Sequence, residues 1–580
     1  MQRRTFVKGV TVASLMSMTA INLSAETKSK EINTNHILRG KEFFLDIDYT
    51  AVNITGNMAV ATTINGQISG PTLVWKEGDE ITLHVTNHLA KTSSIHWHGI
   101  ILPTEMDGVP GLSFDGIPSG ETFTYKFTVQ QHGTYWYHSH SGFQEQTGVY
   151  GAIVIESKEP EPFTYDKDYV VLLSDWSDEK PETVYKKLKQ MSDYYNFSQR
   201  TVGTFFEEVK NKGISQAFSD RKMWNDMRMS DRDISDVAGS TYTYLMNGNN
   251  PSTPFKALFK KGEKIRLRFI NAAAMTFFDV RIPELKMTVV ASDGNHVQPV
   301  SIDEFRIGVA ETYDVIVEPQ MQEAYAIFAQ SIDRTGYALG SLTPNSTLVA
   351  TPPDMDALPI LTHTDMGMDM NMKKGSMRHG GGMKCGADMK MPKTSMKKMK
   401  FSKMEAQKYP ITKLPMKRGF HTTMMAMSPK YRLDDPGVGL RNNGRKVLTY
   451  ADLKNRYSTA DAKIPDREIV LHLTGNMERY MWSINGIKYA DSKPLEFKYG
   501  ERIRITFIND TMMNHPMHLH GMWSDLETGD DNYLVKKHTI VVQPGAKISY
   551  RVTVDAKGTW AYHCHMLYHM AGMFRKVVVA

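Results

Sequence analysis

Cys564 sits directly between His563 and His565, with His569 five residues on and Met573 beyond it. Alternate side chains of an extended strand point to the same face, so this pattern puts the two histidines on one face and Cys564 on the other. Thiolate, imidazole and a weak thioether form the ligand set of a blue copper electron-transfer centre. The flanking histidines then serve a different metal site across the strand. An electron entering through the sulfur would leave through imidazoles joined to it by the backbone.

Three more segments carry the same residue types: His96-Trp97-His98, His138-Ser139-His140, and His515-Pro516-Met517-His518-Leu519-His520. With the terminal segment they use ten of the 20 histidines. An internal repeat places them. Asn65-Gly66, Gly78-Asp79 and Asn87 recur as Asn247-Gly248, Gly262-Glu263 and Asn271, and again as Asn485-Gly486, Gly500-Glu501 and Asn509. The residues before each final asparagine alternate, as in Ile81-Thr82-Leu83-His84-Val85, and predict a half-buried strand. Nine positions past Asn87 and Asn509 lie His96 and His518; nine past Asn271 lies Val280, and two further Ile282. Gly133 to His140 matches Gly558 to His565, with cysteine at the centre only in the latter. Three copies of one β-domain follow, the first and third sharing metals and the second a spacer.

These four segments resemble the copper signatures of the multicopper oxidases, a family of three cupredoxin domains, over roughly residues 42–355 and 467–580. The finer likeness is to the periplasmic copper-resistance branch, carried by Asn509-Asp510-Thr511-Met512-Met513, by His520-Gly521-Met522-Trp523-Ser524-Asp525-Leu526, and by Leu567-Tyr568-His569-Met570. The resemblance implies four copper ions: a type 1 copper on His515, Cys564 and His569 with Met573 axial, a type 2 copper on His96 and His518, and a type 3 pair on His98, His138, His140, His520, His563 and His565. The trinuclear cluster would lie between the first and third domains. Asp107 matches a family acid that assists proton delivery. Two positions depart from the pattern. Met573 lies nine rather than ten residues after the cysteine, leaving Met570 as the other candidate axial ligand, and Met570 stands where many relatives have an acid.

The implied activity couples one-electron oxidation of Cu(I) to four-electron reduction of dioxygen. Two other readings stay open at this level, a laccase-like oxidase of phenolic donors and a copper-sequestering protein. A two-domain nitrite reductase is disfavoured by the three repeats.

The elements between the motifs complete an all-β plan: cupredoxin-like Greek-key sandwiches over 42–158, 159–355 and 467–580. A helical insertion over about 178–240 is expected to be a solvated surface excursion rather than a cover. Residues 356–466 break the β pattern and form a linker. Between Met366 and Met427 lie 15 of the 38 methionines, among Lys, Gly and Asp rather than aliphatics, with His363, His379, His421 and Cys385 interspersed. Soft thioethers suit Cu(I), so Met366, Met368, Met370 and Met372 are candidate substrate ligands, as are Asp510, Met512 and Met513 ahead of His515. The early part of this linker is expected to be loosely folded.

At the N-terminus, Arg3-Arg4-Thr5-Phe6-Val7-Lys8 precedes a short apolar run ending in Leu23-Ser24-Ala25. Residues 1–25 therefore read as a twin-arginine export signal, with the twin-arginine machinery as partner and the periplasm as destination. No apolar run is long enough for a membrane anchor. At 580 residues the chain suffices for two to four domains, and 41% hydrophobic with 23% charged residues is ordinary for a globular protein. A net charge of +6 is small for this length, and no clustered basic face points to nucleic acid. Of the two cysteines, Cys564 is committed to metal and Cys385 reads as a free or metal-binding thiol, so no disulfide is expected. All three repeats lie in one chain, which suits a monomer.

Overall fold

The computed structural model describes residues 37–368 and 409–580. The expected leader, and with it Met370, Met372, His379 and Cys385, lies outside the described residues.

Six sheets follow one another in chain order, two for each repeat. Each pair is joined across its interior by aromatic contacts: Trp97 with Tyr125 at 5.2 Å, Phe269 with Phe305 at 5.2 Å, and Phe507 with Tyr562 at 5.7 Å between ring centres. The repeated strands Glu80–Asn87, Ile265–Asn271 and Arg502–Asn509 occupy the same place in each copy. Each has a parallel neighbour on one side, the strands Glu42–Asn53, Lys167–Trp176 and Arg467–Asn476. Each has an antiparallel neighbour on the other, Thr122–Thr128, Thr312–Val317 and Ala546–Thr553. The Asn-Gly pairs turn the chain with both residues at positive φ (53° and 75°, 51° and 76°, 53° and 68°), the geometry that a two-residue hairpin turn demands.

The final asparagine of each copy explains its recurrence. Asn87, Asn271 and Asn509 are fully buried. Each side-chain amide donates to two backbone carbonyls, those of Lys91 and Ile117, Thr276 and Ile307, and Met513 and Val542. Each side-chain oxygen accepts a backbone N–H two residues on. The loop that launches the next strand is thereby pinned, and that strand is His96–His98, Phe278–Arg281 or His515–Leu519.

Two expectations need correction. Only the first repeated strand is half-buried; the other two are buried throughout or nearly so. Their outward arginines are covered and paired, Arg266 with Asp314 at 2.6 Å and Arg504 with Glu527 at 2.7 Å. A buried charge is tolerated when it is paired in this way. Second, the later part of the 356–466 stretch is not merely a linker. Ile411–Thr412 and Lys430–Tyr431 extend a sheet of the third copy, pairing with Arg467–Asn476 and Ala546–Thr553, and Tyr431 bonds Arg504.

The insertion is helical, as expected, with helices Pro181–Gln190, Val202–Lys212 and Ile214–Asp226. No helix among the described residues is long and apolar enough to cross a membrane.

Candidate metal centre

Strand pairing brings the four histidine segments together in two matching ladders. His96 lies opposite His138, and His518 opposite His563. Trp97 turns inward against Trp75 and Tyr125, which leaves its two neighbours on the outer face. The ligating atoms then fall into compact groups: His98, His138 and His565; His140, His520 and His563; His96 and His518 with His98; and His515, Cys564 and His569. Cys564 thus joins one group while His563 and His565 join two others, as alternation along the strand requires.

At the sulfur group, the Nδ1 atoms of His515 and His569 lie 3.5 and 3.7 Å from Cys564 Sγ and 3.3 Å from each other. Their outer nitrogens are tied: His515 Nε2 to Thr511 Oγ1 at 2.7 Å, and His569 Nε2 to Asp236 Oδ2 at 2.6 Å. Trp482 stacks on His569, ring centres 3.9 Å apart. Met573 is fully buried. Its carbonyl accepts the Cys564 N–H at 3.0 Å and its own N–H donates to His569. Met570 instead packs beside Val109, Ala561 and Phe574. Burial pushes the Cys564 thiol well up from its ordinary range, so a thiolate there calls for a bound cation.

In the histidine cluster the outer nitrogens are likewise tethered. His96 Nδ1 donates to the Asp107 carbonyl and His518 Nδ1 to the His538 carbonyl, each at 2.7 Å. His520 Nδ1 lies 2.8 Å from Asp107 Oδ2, and His138 Nδ1 lies 2.8 Å from Glu145 Oε2. His98 reverses the pattern, its Nε2 lying 3.1 Å from Thr539 Oγ1 and 3.2 Å from His538 Nδ1. Buried nitrogens are left with no hydrogen-bond partner: Nε2 of His96, His140 and His518, and Nδ1 of His98 and His565. Orphaned buried polar atoms are rare in folded proteins. So many converging on one place fit metal ions. Burial holds most of these imidazoles far below their usual range, His563 at about 4, so they are neutral and free to ligate at neutral pH.

A small cavity lined by His96, His518, His520, Trp523 and His538 adjoins this cluster. A larger cavity, lined among others by Arg306, Tyr450, Asn514 and Lys547, contains none of the clustered imidazoles.

The insertion does more than sit at the surface. Asp236 reaches His569, Lys189 donates to the Tyr480 carbonyl at 2.8 Å, and Tyr185 stacks near Tyr568. The sequence expectation of a solvated excursion is therefore overturned: an insertion that keeps a buried carboxyl against His569 covers the sulfur group. Asp510 uses one oxygen on His472 and the other on the Ala426 N–H. Met512, Met513 and Met366 belong to the buried core, and Met368 packs against it. Asp236, Glu145 and His538 carried no usable signal, since each is an isolated polar residue in a run that reads as exposed.

Comparison with known proteins agrees with this architecture. Multicopper oxidase family models match residues 46–160, 167–348 and 463–580. Copper resistance protein A of Escherichia coli is 56% identical over all of this chain and 99% of its own length. A copper resistance protein A homolog of Pseudomonas syringae pv. tomato is 55% identical with the same coverage. Among solved structures, the chain resembles Fet3p, a multicopper oxidase that functions in iron import, with a TM-score of 0.63 at 18% identity over 93% of this chain and 90% of that one. It also resembles the laccase of Botrytis aclada, with a TM-score of 0.61 at 20% identity over 94% and 90%. Fold and site together define a copper-dependent oxidase built from cupredoxin-like units. The chain belongs to the multicopper oxidase family.

Proposed function

We propose that this enzyme is a copper-resistance oxidase that takes electrons singly from Cu(I) and passes them to dioxygen, consuming four Cu(I) and four protons per dioxygen and releasing four Cu(II) and two waters. Four resident copper ions are proposed: a type 1 copper that His515, Cys564, His569 and Met573 would hold, a type 2 copper that His96 and His518 would hold, and a type 3 pair that His98, His138 and His565 and His140, His520 and His563 would hold. Bound there, copper would supply a one-electron acceptor at the sulfur and a three-metal site for dioxygen reduction.

The chain's own residues do the rest. Cys564 links the two sites through its peptide bonds to His563 and His565, a fixed path with no mobile carrier. Asp107 orients His96 through its carbonyl and His520 through its carboxylate, and is the acid proposed for proton delivery. Thr511 and Asp236 hold the sulfur-side imidazoles by their outer nitrogens, and Trp482 keeps water off His569.

The observation that carries Cu(I) as donor is the complete burial of His515 and His569 beneath an insertion that presents Asp236. A phenol needs an open apolar slot against an imidazole edge. A cation needs only a carboxylate beside the imidazole, and the buried Asp236 carboxyl stands 2.6 Å from His569 Nε2. The names of the E. coli and P. syringae relatives support copper tolerance as the setting, and the methionine-rich run supports Cu(I) collection. The twin-arginine leader supports action in the periplasm, and one chain carrying every ligand supports a monomer.

Steady-state oxygen uptake with Cu(I) and with a simple phenol tests this reading. Turnover with Cu(I) should exceed that with the phenol by at least about tenfold, and Asp236→Ala should lower the Cu(I) rate roughly 10- to 100-fold, the usual effect of losing a partner of a metal-bound histidine. Faster turnover of the phenol, unaffected by Asp236→Ala, would replace Cu(I) oxidation by the laccase-like reading.

A further inference from the structure

Three of the ligand groups each contain one histidine whose outer nitrogen faces a buried carboxyl group. In the sulfur group it is His569 with Asp236, and in the His140, His520 and His563 group it is His520 with Asp107. In the third group it is His138, whose Nδ1 lies 2.8 Å from Glu145 Oε2 while its Nε2 lies 3.2 Å from His565 Nε2.

Glu145 has no other evident purpose. It is 1% exposed, and among the described residues no lysine or arginine is paired with it. Neither carboxyl oxygen has a well-aligned hydrogen bond; the His138 N–H is directed instead at the Ser139 carbonyl 3.2 Å away. A buried carboxyl group without a partner destabilises the fold by itself. Yet its neighbours are firmly fixed. Gln144 accepts from the Ser93 and Ser139 hydroxyls at 2.6 and 2.9 Å and donates to the Thr92 carbonyl, and Gln146 accepts from the Tyr242 hydroxyl. The chain is braced on both sides of Glu145, which sets the carboxyl against His138.

We propose that Glu145 is a positioning residue for the His98, His138 and His565 group, holding the His138 ring with Nε2 turned toward the bound metal. The inference rests on the proposed copper cluster, because cations in that group are what offset an otherwise uncompensated buried acid. A carboxylate behind a metal-bound histidine fixes its tautomer and ring orientation. Glu145 thus does for one half of the type 3 pair what Asp107 does for the other.

The test compares the copper-loaded wild type with Glu145→Leu and Glu145→Gln by three readouts: copper per chain after dialysis against a chelator, electron paramagnetic resonance, and thermal unfolding of the metal-free proteins. A bridged pair of Cu(II) ions is silent in resonance, whereas a lone Cu(II) is not. Glu145→Leu should lose copper roughly 10- to 100-fold more readily and show an additional resonance signal. Its metal-free form should unfold no earlier than wild type, because an unpaired acid has been replaced by an apolar side chain of similar volume. Glu145→Gln keeps a side chain of the same shape with an oxygen to set against His138 Nδ1 and should hold copper to within a few-fold of wild type. Glu145→Leu with unchanged copper retention and a silent pair would overturn the assignment. So would a metal-free Glu145→Leu protein that unfolds earlier or fails to fold, since Glu145 would then be structural. A wild type with no silent pair would instead remove the copper cluster on which the inference stands.

Discussion

At the scale of single residues, the imidazoles of His98, His138, His140, His515, His518, His520, His563, His565 and His569 share one physical condition. Burial holds all of them below the ordinary histidine range. Folded they stay neutral, while in the unfolded chain they take up protons near pH 6.5. Stability is therefore fully present above that value and is lost as pH falls from about 6.5 toward the folded values, such as about 4 for His563. Each histidine contributes a slope of up to about 1.4 kcal/mol per pH unit in that window. Chemical denaturation of the metal-free protein should accordingly show a steep loss of stability between pH 6.5 and 4.5, and copper loading should raise stability without flattening that slope, because metal-bound rings take up no protons in the folded state. A flat profile in the metal-free protein would mean that the rings are solvated. The ten histidines and Cys564 were legible in the sequence because His-x-His recurs at matching places in the first and third repeats, nine residues past Asn87 and Asn509 and again after Gly133 and Gly558, and because these segments resemble the family's copper signatures. Asp236, Glu145 and His538 were not, because a single acid or histidine that closes a contact hundreds of residues away leaves no periodic trace.

At the scale of elements, the repeated asparagine is what allows one strand plan to serve two purposes. In the first and third copies it pins a loop leading to histidines, and in the second a loop leading to Val280 and Ile282. Asn271→Ala and Asn509→Ala should each destabilise by about 1–3 kcal/mol, the effect of leaving buried carbonyls and an N–H unpaired. Only Asn509→Ala should also loosen copper, because its loop runs straight into His515. Thermal unfolding and copper analysis of the two variants separate these effects; equal copper loss in both would detach the asparagine from site geometry. The strands themselves were readable from alternation, but the burial of their outer faces was not. Arg266 and Arg504 read as solvent-facing until the acids that cover them, Asp314 and Glu527, are seen in place. The insertion misled for a related reason. Its Lys and Glu content describes its outer face, whereas Asp236 and Tyr185 act on the inner one.

At the scale of the whole molecule, the first and third copies bring their histidine ladders together, and the second carries the insertion whose Asp236 reaches the sulfur group. On the proposed reading, an electron is accepted at Cys564 and four are spent at the histidine cluster. The measurement that tests this most directly is oxygen consumption by the copper-loaded protein with Cu(I) as sole reductant, beside a Cys564→Ser variant that retains the histidine cluster. Uptake near one dioxygen for every four Cu(I), abolished in the variant, is the expected result. Tight Cu(I) binding without oxygen uptake, or equal uptake by Cys564→Ser, would contradict the account.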